Sequence, residues 1–282
     1  MRELLNQLRK HFFYLRKGGF RELLKYYKLN KFEKKIFTKK KLIWNNLGYW
    51  QVDPMPTVEE LNKFYSEIYW LNNKYYKNIL VTPRDLNHFT FLQNNILSKL
   101  HEKTYFMNFG AGHGGISYLL ASKNFNIINI EPSNVSSFNF KNFKNYNNLE
   151  NFLKENDNSS KIDILYSSHT VEHLSEPIHF FKNILKILKD DALVFIEVPN
   201  CRKTKINSDY AEGGCDGKIT GSHLIYFTSD FFNKIKSKIF LFKDENDGKQ
   251  FTEVNSEDEA DCIRAIIKTS DIRNWIEKYN LS

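Results

Sequence analysis

Three groups of residues in this 282-residue chain have the types and spacing to do chemistry. The first is Asn108-Phe109-Gly110-Ala111-Gly112-His113-Gly114-Gly115, which follows an apolar run (Tyr105 to Met107) and precedes an amphipathic one (Ile116 to Ala121). Glycines at this density after a strand let the backbone come close to a ligand. The helix that follows offers free N–H groups at its positive end. The pattern predicts a nucleotide-like cofactor. The second is Glu131, which ends the run Asn-Ile-Ile-Asn-Ile-Glu 21 positions after Gly110. A carboxylate there can accept hydrogen bonds from both hydroxyls of a ribose. The third is His169, Glu172 and His173 in one short segment, with His223 further on. Imidazole is the natural group to take a proton near neutral pH. These residues alone leave the cofactor open, because Gly110, Gly112 and Gly115 also satisfy the dinucleotide fingerprint G-x-G-x-x-G.

Positioning these residues requires strands that alternate with helices. Short apolar runs recur at Tyr105–Phe109, Ile127–Ile130, Ile162–Tyr166 and Leu193–Val198, with helical patterns between them. Pro177 opens the clearest helix, with Ile178, Phe181, Ile184, Leu185 and Leu188 on one face and an end near Lys189-Asp190. The alternation predicts an α/β fold, a doubly wound and mostly parallel Rossmann-like sheet with helices on both faces. Phe240–Phe242 and Cys262–Ile267 read as late strands, separated by a polar loop from Asp244 to Asp261. Ser208 to Ser222 reads as a Gly-rich loop. Ahead of the sheet, Thr57 with Glu60 looks like a capped helix start. The aromatic helix it opens (Phe64, Tyr65, Tyr69, Trp70) serves as a lid over the cofactor or simply as core. A second helix is expected over Asp85 to Leu100. The division expected is 1–53 as a basic N-terminal extension, 54–100 as a helical lead-in, and 101–282 as the sheet-bearing core.

The stretch Asp163-Ile-Leu-Tyr-Ser-Ser-His-Thr-Val-Glu-His-Leu174, then Ser175-Glu176-Pro177, then Leu193-Val-Phe-Ile-Glu-Val-Pro-Asn200, forms a connected pattern. It resembles the class I S-adenosylmethionine-dependent methyltransferases, in the branch carrying "v-l-E-H-l-x-d-P" and "l-x-i-e-v-P-n". His223-Leu-Ile-Tyr-Phe-Thr228 is similar to the later "H-l-x-x-F-t" segment of that branch. The resemblance spans about residues 54–232 and implies S-adenosylmethionine as cofactor, with S-adenosylhomocysteine as product. It implies cofactor contacts at Asn108, Gly110, Gly112, Gly114, Glu131, Ser168 and His169, and catalytic roles for His173 and His223. Asn108 stands where the family usually has Asp, so hydrogen-bonding capacity is kept and a charge is lost. The acceptor implied is a small molecule, a sugar or nucleotide-linked sugar of surface-glycan synthesis, methylated on oxygen. An RNA methyltransferase, an NAD-dependent oxidoreductase and a non-catalytic cofactor-binding protein of the same fold are the alternatives.

Composition narrows the partners. Residues 1–41 hold 14 Lys+Arg against 3 Asp+Glu, so the remainder carries about −3 of the formal +8. The basic character thus belongs to the arm, which reads as an amphipathic helical cap or dimerisation element. Its charge also suits an anionic substrate or the surface of an anionic membrane. Nucleic acid is disfavoured because the core has no basic surplus. Cys201, Cys215 and Cys262, odd in number and far apart, suit a reducing cytoplasm and lack the paired spacing of a zinc site. No His and carboxylate cluster at ligand spacing stands out in the sequence, so no metal is expected.

Overall fold

Each of the four central apolar runs lies within a strand, and the four pair in parallel. The computed structural model describes residues 40–65, 79–97, 100, 103–132, 142–156, 161–201, 223–245 and 249–281, with scattered residues between 16 and 37. In chain order the strands are β1 (Lys41–Asn45), β2 (Tyr49–Asp53), β3 (Tyr105–Phe109), β4 (Asn126–Ile130), β5 (Phe143–Tyr146) and β6 (Ile162–Ser168). They continue with β7 (Leu188–Pro199), β8 (Ile225–Phe227), β9 (Lys238–Glu245), β10 (Gln250–Val254) and β11 (Cys262–Lys268). The helices are α1 (Val58–Phe64), α2 (Pro83–Asn95), α3 (Gly115–Ala121), α4 (Leu149–Glu155), α5 (Pro177–Leu185), α6 (Ser229–Lys234) and α7 (Thr269–Lys278).

Eight strands form one sheet in the order β10-β9-β11-β7-β6-β3-β4-β5. The pairs β3–β4, β3–β6, β4–β5 and β6–β7 are parallel, while β11 runs antiparallel between β7 and β9. Successive residues point to opposite faces and both faces are covered. Phe106, Ile164 and Phe195 enter one apolar cluster, and their chain neighbours Met107, Leu165 and Val194 enter the other. Two-sided burial is why these strands read as continuous apolar runs rather than alternating ones. The expected doubly wound α/β sheet is therefore the fold.

A second, three-stranded sheet, β1-β2-β8, joins the chain before the core to its late part. Tyr49 pairs with Phe227 and Gln51 with Ile225, and Thr228 donates its hydroxyl to the Gly48 carbonyl (2.7 Å). Residues 41–53 thus pack against residues 225–228, and Tyr49 stacks near Phe227 and Phe231.

The start of α1 is the capping box expected from Thr57 and Glu60, each side chain taking the other's backbone N–H (3.0 and 3.1 Å). Helix α2 starts at Pro83 behind a second box, Thr82 with Asp85, and stops at Asn95 rather than Leu100. Three other expectations change. Helix α5 ends at Leu185, and Leu188 opens β7 instead of lying on the helix face. Its helical spacing from Ile184 misleads because the Ile187 carbonyl is taken by the N–H groups of Lys161 and Ile162 (2.9 and 3.1 Å), which turns the chain into the sheet. The polar segment Asp244 to Asp261 contains a strand, β10, at one sheet edge, and β5 forms the other. Tyr69, Trp70, Cys215 and Ser208 to Ser222, and most of the basic arm, lie outside the described residues.

Candidate functional site

The strand order reverses between β3 and β6, and open α/β sheets bind ligands beyond the carboxyl ends of strands at such a switch point. A cavity of about 310 Å³ lies there, lined by the residues that end and follow β3 (Phe109, Gly110, Gly112), β4 (Ile130, Glu131, Pro132) and β6 (Ser168, His169, Thr170), with Tyr65, His173 and Leu174. The volume is at the lower end of small-molecule sites.

The glycine loop is held down by its backbone: the N–H groups of Gly110 and Ala111 both reach the Ile130 carbonyl (2.8 and 3.2 Å). At Gly110, φ is +82° and a Cβ would overlap the Thr170 side chain, so this glycine lets the β3 and β6 loops touch. At Gly112, φ is +51° and a Cβ would meet nothing within 4 Å, so the bare backbone faces open space. Glu131 is buried and accepts the Gly112 N–H at Oε2 (2.9 Å). A carboxylate accepts at both oxygens, the chemistry a ribose diol requires.

Gly114 caps α3 and lies off the cavity wall. Asn108 is also placed elsewhere. It is buried, and its Nδ2 donates to Ser117 Oγ (2.7 Å), which donates to Asn129 Oδ1 (2.6 Å), whose amide donates to Asn145 Oδ1 (2.9 Å). The chain of bonds ties β3, α3, β4 and β5 together. Asn108 thus belongs to a neutral structural relay.

Beyond β6 the backbone turns sharply, with His169 in the left-handed region (φ +49°), followed by a single 3-10 turn at Val171–His173. His169 sits between two buried carboxylates. Its Nδ1 lies 3.4 Å from Glu172 Oε1 and its Nε2 lies 3.2 Å from Glu197 Oε1, neither aligned as a hydrogen bond. Burial alone would lower the pKa of His169, but Cys262, Glu172 and Glu197 together raise it well above the ordinary value.

On the Glu197 side both carboxylate oxygens are matched, while Nη1 and Nη2 of Arg264 have no hydrogen-bond partner among the described residues. Arg264 Nε and His88 Nε2 donate to Glu197 Oε2 (2.6 and 2.7 Å), and Ser168 Oγ donates to Oε1 (3.3 Å). Glu197 is acceptor-only, so His88 donates from Nε2 and accepts a hydrogen bond from the Tyr166 hydroxyl at Nδ1 (2.5 Å). That is the neutral imidazole, and burial lowers the pKa of His88 accordingly. The Arg264 guanidinium lies 3.9 Å from the Phe242 ring centre and 5.2 Å from those of Phe91 and Phe251. Motif reasoning noted Glu197 only as part of its motif. Tyr166 also stands within the Asp163–Leu174 pattern without a role of its own, and His88 and Arg264 belong to no motif.

On the other side, Glu172 is fully buried beneath three imidazoles. Its Oε1 is 4.0 Å from His173 Nε2 and 4.0 Å from His223 Nε2. The two rings stand edge to face, 4.9 Å between centres. Strand β8 brings His223 here, since the Leu224 N–H binds the Glu172 carbonyl (2.9 Å) and the Val52 N–H binds the Leu224 carbonyl (3.0 Å). Tyr65, at the end of α1, reaches the His173 carbonyl (3.5 Å) and shares the cavity wall. Burial pushes His223 down to about 4, only partly offset by Glu172, so this imidazole is neutral at pH 7.

The structure therefore gathers Gly110, Gly112, Glu131, Ser168, His169 and His173 around one cavity and sets His223 directly behind His173. The model of a family described as "Methyltransferase domain" matches residues 85–282, well over half of the chain. The chain belongs to the class I S-adenosylmethionine-dependent methyltransferases. The cofactor of this methyltransferase family is S-adenosylmethionine, and the cavity fits it: a glycine with no Cβ to obstruct approach stands beside a buried carboxylate. Among curated proteins none matches the sequence. Solved structures that resemble it include a SAM-dependent methyltransferase from Archaeoglobus fulgidus (16% identity, 66% of this chain and 94% of that one, TM-score 0.47). Another is 1,6-didemethyltoxoflavin-N1-methyltransferase from Burkholderia thailandensis (8% identity, 81% and 98%, TM-score 0.49). At these values the likenesses add nothing to the family assignment. Among the described residues of this methyltransferase, no helix is long and apolar enough to cross a membrane.

Proposed function

We propose that this methyltransferase methylates a hydroxyl group of a small anionic acceptor, a sugar or nucleotide-linked sugar. The observation that carries the reading is convergence: His173 lines the same cavity as Gly112 and Glu131, with Glu172 and His223 immediately behind it. When bound, S-adenosylmethionine supplies a methyl carbon already activated by its sulfonium sulfur. The protein's tasks are then to bind, to align and to promote loss of the hydroxyl proton. Gly110 and Gly112 offer a close backbone wall, and Glu131 takes the ribose hydroxyls. Ser168 and His169 border the cofactor, and His173 with His223 activates the acceptor hydroxyl. Glu172, 4.0 Å from each ring, sets a negative charge behind them. The acceptor class is supported by the resemblance of the His169–Pro177 and His223–Thr228 segments to sugar-modifying relatives, and the basic arm suits an anionic substrate.

Thermal shift and calorimetry with S-adenosylhomocysteine and NAD, followed by turnover with a panel of nucleotide sugars, test this reading. Binding of S-adenosylhomocysteine and its production with at least one sugar acceptor are expected. Stabilisation by NAD alone would overturn the reading.

A further inference from the structure

We propose that Glu172, His173 and His223 form a binding site for one divalent transition-metal ion, Zn²⁺ or Co²⁺ in class. The inference deepens the proposed function and rests on it for the role of the ion, but not for the existence of the site. Two independent observations meet here. The first is geometric: one carboxylate oxygen and two imidazole nitrogens lie within 4.8 Å of one another, with Glu172 Oε1 at 4.0 Å from each Nε2. Metal–ligand bonds of about 2.1 Å place neighbouring ligand atoms roughly 3–3.5 Å apart. Side-chain rotations of about half an ångström would close the set around an ion.

The second is the state of Glu172 itself. Its side chain is 2% exposed, and among the described residues neither Oε1 nor Oε2 has an aligned hydrogen-bond donor, the nearest being His169 Nδ1 at 3.4 Å from Oε1. A buried carboxylate with both oxygens unmatched is rare and calls for a ligand, a water or an ion. Another His, carboxylate and thiol group nearby, His169 with Glu197 and Cys262, meets the same distance criterion. It lacks the second feature, because Glu197 already accepts hydrogen bonds from Arg264, His88 and Ser168. The orphaned carboxylate decides between the two.

One carboxylate and two imidazoles suit Zn²⁺, Co²⁺ or Fe²⁺ rather than Ca²⁺ or Mg²⁺, which prefer oxygen ligands. Three protein ligands leave open positions, the arrangement of a catalytic rather than a structural ion. His173 is on the cavity wall, so an acceptor hydroxyl could take an open position. The ion would lower the pKa of that hydroxyl, and its proton would pass to solvent water with no change in oxidation state. His173 and His223 would then activate the acceptor as ligands.

The test is direct metal binding to the full-length protein after chelator treatment and dialysis. Zn²⁺ stoichiometry is read by elemental analysis, and Co²⁺ is titrated with its visible absorption as signal. One equivalent per chain is expected for the wild type, with Co²⁺ binding weakened about 100-fold or more in Glu172→Gln and in His223→Ala. Cys262→Ala should bind as the wild type does. S-adenosylhomocysteine binding, measured on the same samples, reports on folding and on the methyltransferase reading separately. Wild-type protein that binds S-adenosylhomocysteine but no Co²⁺ or Zn²⁺ overturns the metal site and leaves the proposed function standing. Metal binding lost in Cys262→Ala and kept in Glu172→Gln also overturns it. Metal binding without S-adenosylhomocysteine binding would support the site and remove the function built on it.

Discussion

Glu197 and Glu172 are both buried carboxylates, both touch His169, and they are provided for in opposite ways. Glu197, on the central strand β7, is surrounded by donors from α2, β6 and β11. Burial alone would raise its pKa, but His88, His169 and Arg264 hold it well below the usual carboxylate range. Glu172, in the turn after β6, has imidazoles nearby and no aligned donor among the described residues. A buried charge whose partners are complete is part of the fold. A buried carboxylate without aligned donors is open to a further ligand.

The contrast predicts first that Glu197→Ala is more damaging than any change to Glu172 or to the glycine loop. It strands Arg264 and His169 as buried cations, and a broken buried pair typically costs about 3–5 kcal/mol. The urea midpoint should fall accordingly with the slope unchanged. A loss under about 1 kcal/mol would mean the Glu197 cluster is not structural after all.

The two loop glycines repeat the comparison at smaller scale. Gly110→Ala combines left-handed strain with an overlap on Thr170, for about 2–4 kcal/mol of stability. Gly112→Ala meets no neighbour, so strain alone applies, about 1 kcal/mol. Its methyl should instead reduce S-adenosylhomocysteine affinity at least tenfold by calorimetry. Equal stability losses in the two variants would show that Gly112 is not on an open wall.

Stability should also depend on pH in a way that separates the partners. His88 has a lowered pKa and Glu197 a strongly lowered one. The unfolded chain therefore binds protons that the folded one does not, and stability falls with acidification, first below the ordinary His value of about 6.5 and further below about 4.5. His169 is raised, so its stabilisation is complete below about 6.5 and is lost as pH rises through its folded pKa. Urea midpoints against pH should peak between these limbs. Glu197→Gln should flatten the alkaline limb, because it removes one of the carboxylates that hold the His169 proton.

What the sequence revealed follows the same division. The glycine loop, Glu131 and the His169–His173 segment were legible because each is local: backbone conformation, strand end and turn are set within a few residues. The central strands were legible because two-sided burial makes them apolar throughout. Besides the small β1-β2-β8 sheet, the unexpected strands are β5 and β10, the two edges of the large sheet, where exposure alternates or prevails and the apolar signal is weak. The Glu197 cluster was hidden because its bonds join residues 67 and 109 positions apart. The Glu172 set was half visible: Glu172 and His173 are adjacent, but only the pairing of β2 with β8 reveals that His223 belongs with them.

The smallest expected effect on stability is the most telling. Glu172→Gln, measured on chelated protein, replaces a buried carboxylate that lacks aligned donors with a neutral amide of the same shape. Burial works against this charge, but His169, His173 and His223 outweigh it and lower its pKa, so the urea midpoint should fall slightly, by no more than about 1 kcal/mol. Methyl transfer should nevertheless be lost, while S-adenosylhomocysteine binding persists. If Glu172→Gln instead destabilises as much as Glu197→Ala, then His169 and its neighbours satisfy Glu172 better than the geometry indicates. The two carboxylates would then be one structural network rather than a scaffold and a site.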